Sequence, residues 1–366
     1  MINFSKLLNP SKKIAGLDIG NSYIKVMEFE GETLEDSKLS NYWIEAIPSN
    51  IHNDGKLDNV EALGKLIKNI WKKAGFTAKH VAIALPNSNI ISKKVISPVF
   101  DEDDAMNIQM ESLMREHLVS GVSMDDIKMD YAVLGENKAN NTEADIMLVG
   151  ARNENIDERI AIVESAGLIP LVLDVEQYAY QNMLRLIKGE EFINKNYILL
   201  DCSANMMRMM IFQKGVFFNE ETRLIGGNNL TREVSSNIGV DLEEAEKIKK
   251  NREGDDTYEI VEKTFLNNYV NEFMSMFQFF ISSTSIDEID EIILTGGTAN
   301  IPGIEIIFKN ALQSNNETRI KSDPYVAKPL NEIVKSDKID LKALEKEQAS
   351  LFLVTSLAVR QFLRQY

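Results

Sequence analysis

Three stretches of this chain end an apolar run on an acidic residue or on paired glycines. The first is Ile14-Ala15-Gly16-Leu17-Asp18-Ile19-Gly20-Asn21-Ser22-Tyr23-Ile24-Lys25-Val26-Met27-Glu28-Phe29. It reads as strand, aspartate, small-residue turn and second strand. Backbone N–H groups of such a turn can point at an anion, Asp18 can hold a metal ion through water, and Lys25 adds positive charge. That is a phosphate cradle, although an ordinary hairpin turn fits the same letters. The second stretch, Asn196-Tyr197-Ile198-Leu199-Leu200-Asp201-Cys202-Ser203-Ala204, again runs a strand into an aspartate and a small-residue turn. Strands at 206–212 and 216–222, joined by Lys214-Gly215, complete the same order of elements, which points to an internal duplication carried by order, not by letters. The third stretch, Glu291 to Gly303, runs a buried strand through Thr295 into Gly296-Gly297-Thr298. Paired glycines after a strand let backbone approach a flat ligand.

The elements that must position these residues alternate between strand and helix periodicity. A strand at 39–47, a helix at 60–74 stopped by Gly75, and a short buried strand at 80–85 follow the first stretch. After Pro86 come a strand at 90–96, a polar-rich helix at 101–119, strands at 128–134 and 145–150 around the polar run 136–143, a helix at 155–166 and a strand at 168–173. This reads as a small α+β module inserted in a larger α/β domain. Beyond the second stretch, Gly226-Gly227 precede a helix at about 230–238. Asp241 and Glu244 form a capping box for the next helix, 251–256 is a polar loop, and a long helix spans about 258–283. Its stripe of Phe265, Tyr269, Phe273, Met276, Phe277 and Phe280 reads as core. Residues 313–348 read as loop with one charged helix, and an apolar helix at 351–362 closes the chain.

Composition narrows the functions. The net charge of −16 argues against non-specific binding to nucleic acid or anionic lipid. A single cysteine, Cys202, excludes an intramolecular disulfide and a Cys-based zinc cluster. His52, His80 and His117 are too scattered for a metal site or a Ser-His-Asp triad. Residues 1–10 lead into no signal-peptide core, and no run approaches the ~18 apolar residues of a membrane span, so a cytoplasmic protein is expected.

Asp18-Ile19-Gly20 with Lys25, Asp201 with its turn, and Thr295-Gly296-Gly297-Thr298 stand in the order of the first phosphate loop, second phosphate loop and adenosine motif of the actin-like ATPase superfamily, which the chain resembles. The resemblance implies an α/β, two-lobed actin-like (ribonuclease-H-like) fold. The module after Leu85 resembles the inserted subdomain of FtsA-like proteins, which heat-shock chaperones and sugar kinases lack at this point. Within that group the chain is similar to the PilM family of type IV pilus assembly. The stretches that carry this are Gly16 to Ser22, Asp174-Val175-Glu176-Gln177-Tyr178-Ala179, the run from Ile225-Gly226-Gly227 to Lys249, and Ser356-Leu357-Ala358-Val359-Arg360. The implied organisation is 1–85 with 168–195 and 350–366 as one lobe, 86–167 as the inserted subdomain, and 196–349 as the second lobe with a helical subdomain at about 230–283.

The resemblance further implies ATP and Mg2+ in the interlobe cleft, with no catalytic residue assigned. Asp18 and Asp201 would face the magnesium and Lys25 the phosphates, with donors from Gly20, Asn21 and Ser22. Ser203, Gly226 and Gly227 belong to the same binding set. Glu246 and Lys249 would face the adenosine; their i,i+3 spacing puts them on one helix face, which a solvated face also satisfies. Gly296, Gly297 and Thr298 would lie against base and ribose. One departure matters. The family's second phosphate loop reads Asp-Ile-Gly-Ala followed by Thr, whereas here it is Asp201-Cys202-Ser203-Ala204-Asn205-Met206-Met207-Arg208. Ser203 restricts positive φ and close phosphate approach. The methionines remove a hydroxyl, and Arg208 can restore only charge. The expectation is nucleotide binding with weak or absent hydrolysis.

The implied function is a cytoplasmic scaffold of pilus assembly, held at the inner membrane through partners and not by its own insertion. It would recruit the N-terminal cytoplasmic tail of a PilN-like inner-membrane protein to a groove near 86–167 and meet other assembly components. Nucleic acid is not an expected partner, and self-association stays open. The alternative is an FtsA-like filament-forming protein of division or cell shape. That reading needs an anchor, yet the chain lacks FtsA's long linker and basic amphipathic tail, and 351–359 is apolar nearly all round, which favours burial. A sugar kinase would use Asp174 as its catalytic carboxylate, but Glu176, Gln177 and Tyr178 match the scaffold family better.

Overall fold

The computed structural model describes residues 13–48, 51, 59–98, 103–119, 123–137, 140–252, 254, 256–315, 317 and 319–362. The expectations for residues 1–10 and His52 lie outside the described residues. So do parts of those for 101–119, 136–143, 251–256, 313–348 and 350–366. The chain divides into two compact units, one with residues up to 15 and 48–178, the other with 16–47 and 179–364.

The opening stretch forms β1 (Ile14–Ile19), buried along its whole length, and β2 (Tyr23–Glu30). Next comes β3 (Lys38–Ala46), antiparallel to β2 with an irregularity between Glu28 and Phe29. In the first unit, α1 (Val60–Ala74) has the expected limits because both ends are capped. The Asn59 side chain accepts from Ala62 N, and Gly75 adopts a left-handed conformation with φ 72°. β4 (His80–Leu85) follows.

Within the first unit, the segment 86–167 comprises β5 (Ile90–Pro98), α2 (Asp103–Leu118), β6 (Ile127–Asn137), β7 (Asn140–Arg152) and α3 (Asn153–Ser165). Its antiparallel sheet runs β5-β7-β6, and Met106, Met110, Met114 and Leu118 of α2 cover it with Val95, Ile146 and Leu148. β6 and β7 run on into residues read as a polar loop, pairing as far as Asn137 and Asn140. Ladder hydrogen bonds satisfy the backbone there whatever the side chains, so periodicity under-reads such strand ends. β8 (Ile169–Val175) pairs with β4 in parallel.

α4 (Glu176–Lys188) has no counterpart among the sequence expectations; its buried Ala179, Met183 and Leu184 are interleaved with polar residues. In the second unit, β9 (Asn196–Cys202), β10 (Met207–Gln213) and β11 (Val216–Arg223) form antiparallel neighbours. The turn between β10 and β11 places Lys214 and Gly215 at φ 48° and 83°. The order β11-β10-β9 repeats β3-β2-β1, so the duplication read from the order of elements is present in the sheets. Three helices follow: α5 (Gly227–Ile238), α6 (Leu242–Asn251) and α7 (Asp256–Ser283). β12 (Glu291–Thr295) lies parallel to β9, and α8 (Ile304–Ser314) comes after it. Two short strands were not anticipated: β13 (Tyr325–Val326) beside β12, and β14 (Val334–Lys335) beside β3. The chain closes with α9 (Leu341–Glu347) and α10 (Phe352–Val359).

The aromatic stripe of α7 lies in the core with Ile198, Leu200, Met209 and Ile211, and the rings of Phe273 and Phe308 are 5.0 Å apart. α10 is buried throughout, as its all-round apolarity implies, beneath Met27 and Phe29 of β2. Its two hydroxyls bond to backbone, Thr355 to Leu351 O at 2.7 Å and Ser356 to Ala179 O at 2.6 Å, so no polar side chain is stranded. β1 crosses this helix at Gly16, where a Cβ would meet Val354 O at 2.5 Å and Ala358 N at 2.6 Å. Gly16→Val should therefore cost about 3 kcal/mol by overpacking, lowering the urea midpoint with an unchanged m-value.

Candidate functional site

Every residue assigned to the site from sequence falls in the second unit. Asp18 is the penultimate residue of β1, and Lys25 lies on the neighbouring β2. Between them Gly20 N donates to Tyr23 O at 3.1 Å, closing the turn, and Ile47 N donates to Ser22 O at 2.9 Å. Lys25 Nζ donates to Asp18 Oδ2 at 2.9 Å. Burial opposes the lysine's charge, but Asp18, with help from Asp201 and Glu347, outweighs it and holds the pKa above its ordinary value. Asn21 is exposed.

The second loop is built by the β9–β10 ladder, which sets Arg208 directly across from Asp201. Their side chains form a buried ion pair at 2.9 Å, and Ser203 Oγ donates to the other Asp201 oxygen at 2.8 Å. The Arg208 guanidinium also lies 5.4 Å from the Tyr180 ring centroid. Ser203 N closes the turn onto Met206 O at 3.0 Å, and Ser203 needs no positive φ to do so.

Two glycines make room for this loop. A Cβ on Gly226 would lie 2.5 Å from the carbonyl oxygens of both Ser203 and Ala204. Gly296, at φ 88°, would bring a Cβ 2.5 Å from Cys202 O and 2.7 Å from Asp201 Oδ1. Gly227 N then donates to Ser203 O at 3.1 Å and Asn228 N to Ala204 O at 2.8 Å. These carbonyls cap α5, which therefore begins at Gly227, ahead of the expected start near 230. Thr298 Oγ1 donates to Ser203 O at 3.2 Å, tying the third stretch to the second, while Gly297 is exposed.

Glu246 and Lys249 share one face of α6, and that face turns inward. Lys249 Nζ contacts Glu246 Oε2 at 2.5 Å, Thr231 Oγ1 at 2.8 Å and Gly227 O at 3.2 Å. The Glu246 carboxylate also accepts from Thr231 at 2.6 Å and from the Tyr23 hydroxyl at 2.7 Å. Burial pushes Glu246 up, but Lys249 and these hydrogen bonds win, and its pKa lies below the ordinary value. Burial lowers Lys249 despite Glu246. Burial first, then Glu246, raises Tyr23. Lys250 Nζ sits 4.2 Å from the centroid of the Tyr23 ring.

Sequence reasoning missed Tyr23, Asn205, Asn228 and Thr231. Asn228 Nδ2 donates to Ser22 Oγ at 3.1 Å and to Asn205 Oδ1 at 2.8 Å, joining both loops to α5. Only the Asn pair after Gly226-Gly227 hinted at such a role. The structure thus joins the three stretches into one polar cluster, from which Asn21 and Gly297 face solvent. The two carboxylates expected to face magnesium are each held by a cation of the chain. Among the described residues no group of three or more His, Cys, Asp or Glu side chains is arranged to hold a metal ion.

The family described as type IV pilus assembly protein PilM matches residues 16–362. The chain belongs to the PilM family. Among curated proteins it is similar to the cell division protein FtsA of Bacillus subtilis, 23% identical over 87% of this chain and 80% of that protein. Among solved structures it is similar to a PilM–PilN type IV pilus biogenesis complex, with a TM-score of 0.77 at 19% identity, covering 96% of this chain and 99% of the other. It is also similar to MreB5 of Spiroplasma citri bound to AMPPNP, with a TM-score of 0.51 at 12% identity, covering 94% of this chain and 95% of the other. The expected actin-like fold is borne out. Among the described residues no helix is long and apolar enough to cross a membrane.

The depressed pKa of Glu246 fixes the sign of a pH effect. A carboxylate lowered on folding stabilises the protein above its unfolded pKa, and that stabilisation is lost as pH falls through the folded value. Between about pH 5 and pH 3, urea unfolding should show Glu246→Gln losing less stability than the parent chain.

Proposed function

We propose that this protein is a nucleotide-binding scaffold of type IV pilus assembly, taking ATP at the cluster around Asp18, Lys25, Ser203, Gly226, Gly227 and Gly296 and recruiting the cytoplasmic tail of a PilN-like inner-membrane protein. The observation that carries it is the joining of both loops and the glycine pair by Asn228, Thr298 and the Tyr23–Glu246 bond. Motifs far apart in sequence meet in one small region where Asn21 and Gly297 are exposed. Lys25 is the phosphate-facing cation in this reading, and the face of Glu246 and Lys249 is the adenosine side. Supporting the nucleotide is the AMPPNP held by the structurally similar MreB5. Supporting the partner are family membership and the similar PilM–PilN complex. In this reading the module 86–167, which lies in the first unit, is the peptide-binding part. Tethering would place the protein at the inner membrane through its partner.

The FtsA-like alternative asks α10 to serve as an anchor, and its burial beneath β2 removes that candidate among the described residues.

Titration with a fluorescent ATP analogue checks the nucleotide. Lys25→Gln should weaken binding by about tenfold or more; unchanged affinity would place the phosphates elsewhere. A synthetic peptide of the PilN-like tail should bind the full chain, and no binding with or without ATP rejects the scaffold reading.

A further inference from the structure

We propose that this site takes its nucleotide in metal-free form, because Arg208 occupies the carboxylate that would otherwise face a divalent cation. The inference rests on the nucleotide reading above. Magnesium demands near-octahedral oxygen coordination, usually one or two carboxylates with waters and phosphate oxygens. A carboxylate that serves it must turn an anionic oxygen outward.

Asp201 does not meet that requirement. One oxygen receives the Arg208 guanidinium at 2.9 Å, and the other receives the Ser203 hydroxyl at 2.8 Å. Its side chain is 4% exposed, and the Gly296 backbone is packed so close that a Cβ there would sit 2.7 Å from Asp201 Oδ1. Rotating Asp201 towards a cation would break this buried ion pair while Arg208 keeps its charge. The pair is also set by the fold, because Arg208 stands opposite Asp201 in the antiparallel register. Asp18 gives one oxygen to Lys25, whose charge is held by the surrounding carboxylates, and the single oxygen it keeps is at the low end of what magnesium takes from a protein.

The charge count leads to the same ligand. In a site with two unpaired aspartates, a divalent cation is needed to offset their repulsion of a polyphosphate. Here Lys25 and Arg208 neutralise the two aspartates without one. Ser203 contributes through its hydroxyl, which the glycine of the family pattern could not. Ser203, a departure from the family pattern, and Arg208 are therefore two halves of one device, and the ligand is a nucleoside di- or triphosphate bound as the free anion.

The test is the affinity of a fluorescent ATP analogue for the full chain in excess Mg2+ and in EDTA. Affinities within about threefold of each other are expected; tenfold or greater weakening in EDTA overturns the proposal. In Arg208→Gln the Asp201 carboxylate loses its internal cation, and Mg2+ should then strengthen nucleotide binding by about tenfold or more. Should that variant not fold, Ser203→Ala frees one Asp201 oxygen and is read the same way. A second measurement needs no nucleotide. Mn2+ added to the protein alone should stay free by electron paramagnetic resonance, and Mn2+ held at Asp201 overturns the proposal. If no nucleotide binds under either metal condition, the nucleotide reading fails, and the Mn2+ measurement still decides whether Asp201 is closed to cations.

Discussion

The second unit depends on one close approach. The backbone of residues 201–204 passes between Gly226 and Gly296 so tightly that neither position can carry a side chain. On one side the carbonyls of Ser203 and Ala204 cap α5; on the other, Asp201 and Cys202 lie against the turn that follows β12. The start of α5, the placement of Thr298 and the reach of Asn228 to Ser22 all follow from this contact. Two glycines far apart in sequence thus fix the geometry of a loop that contains none.

The electrostatics are equally local. A chain of net charge −16 presents a poor background field for any polyanion. Within the cluster, however, three acidic side chains are matched: Asp18 with Lys25, Asp201 with Arg208, and Glu246 with Lys249. The matching offsets the cost of burying these carboxylates. Tyr23 belongs to the same arrangement, since its hydroxyl carries the first loop to Glu246 while its ring meets Lys250.

Much of the fold was legible because its signals are local. Asn59 and Gly75 delimit α1 by capping alone, Asp241 starts α6, and Lys214-Gly215 marks its hairpin. The all-round apolar pattern of α10 and the aromatic stripe of α7 announced burial correctly, since only a core can satisfy such surfaces. Elements with non-local support were misjudged or missed. α5 begins early because carbonyls from another loop cap it, the ends of β6 and β7 are held by each other's backbone, and the two-residue strands β13 and β14 exist only beside their neighbours.

The sequence by itself determined the order of strand–aspartate–turn units and the small residues at each turn, because these rest on periodicity and backbone sterics within a few residues. It also exposed the odd second loop, with Ser203 where the family has glycine and methionines where it has threonine. Only the tertiary structure decided what those residues do. Arg208 faces Asp201 because antiparallel register sets them opposite, and Glu246 turns inward because Tyr23, Thr231 and Lys249 converge on it. A hydrogen bond such as that from Tyr23 to Glu246, between residues far apart in sequence, leaves no periodic trace in a chain, and the register that faces Arg208 with Asp201 exists only when the strands are in place.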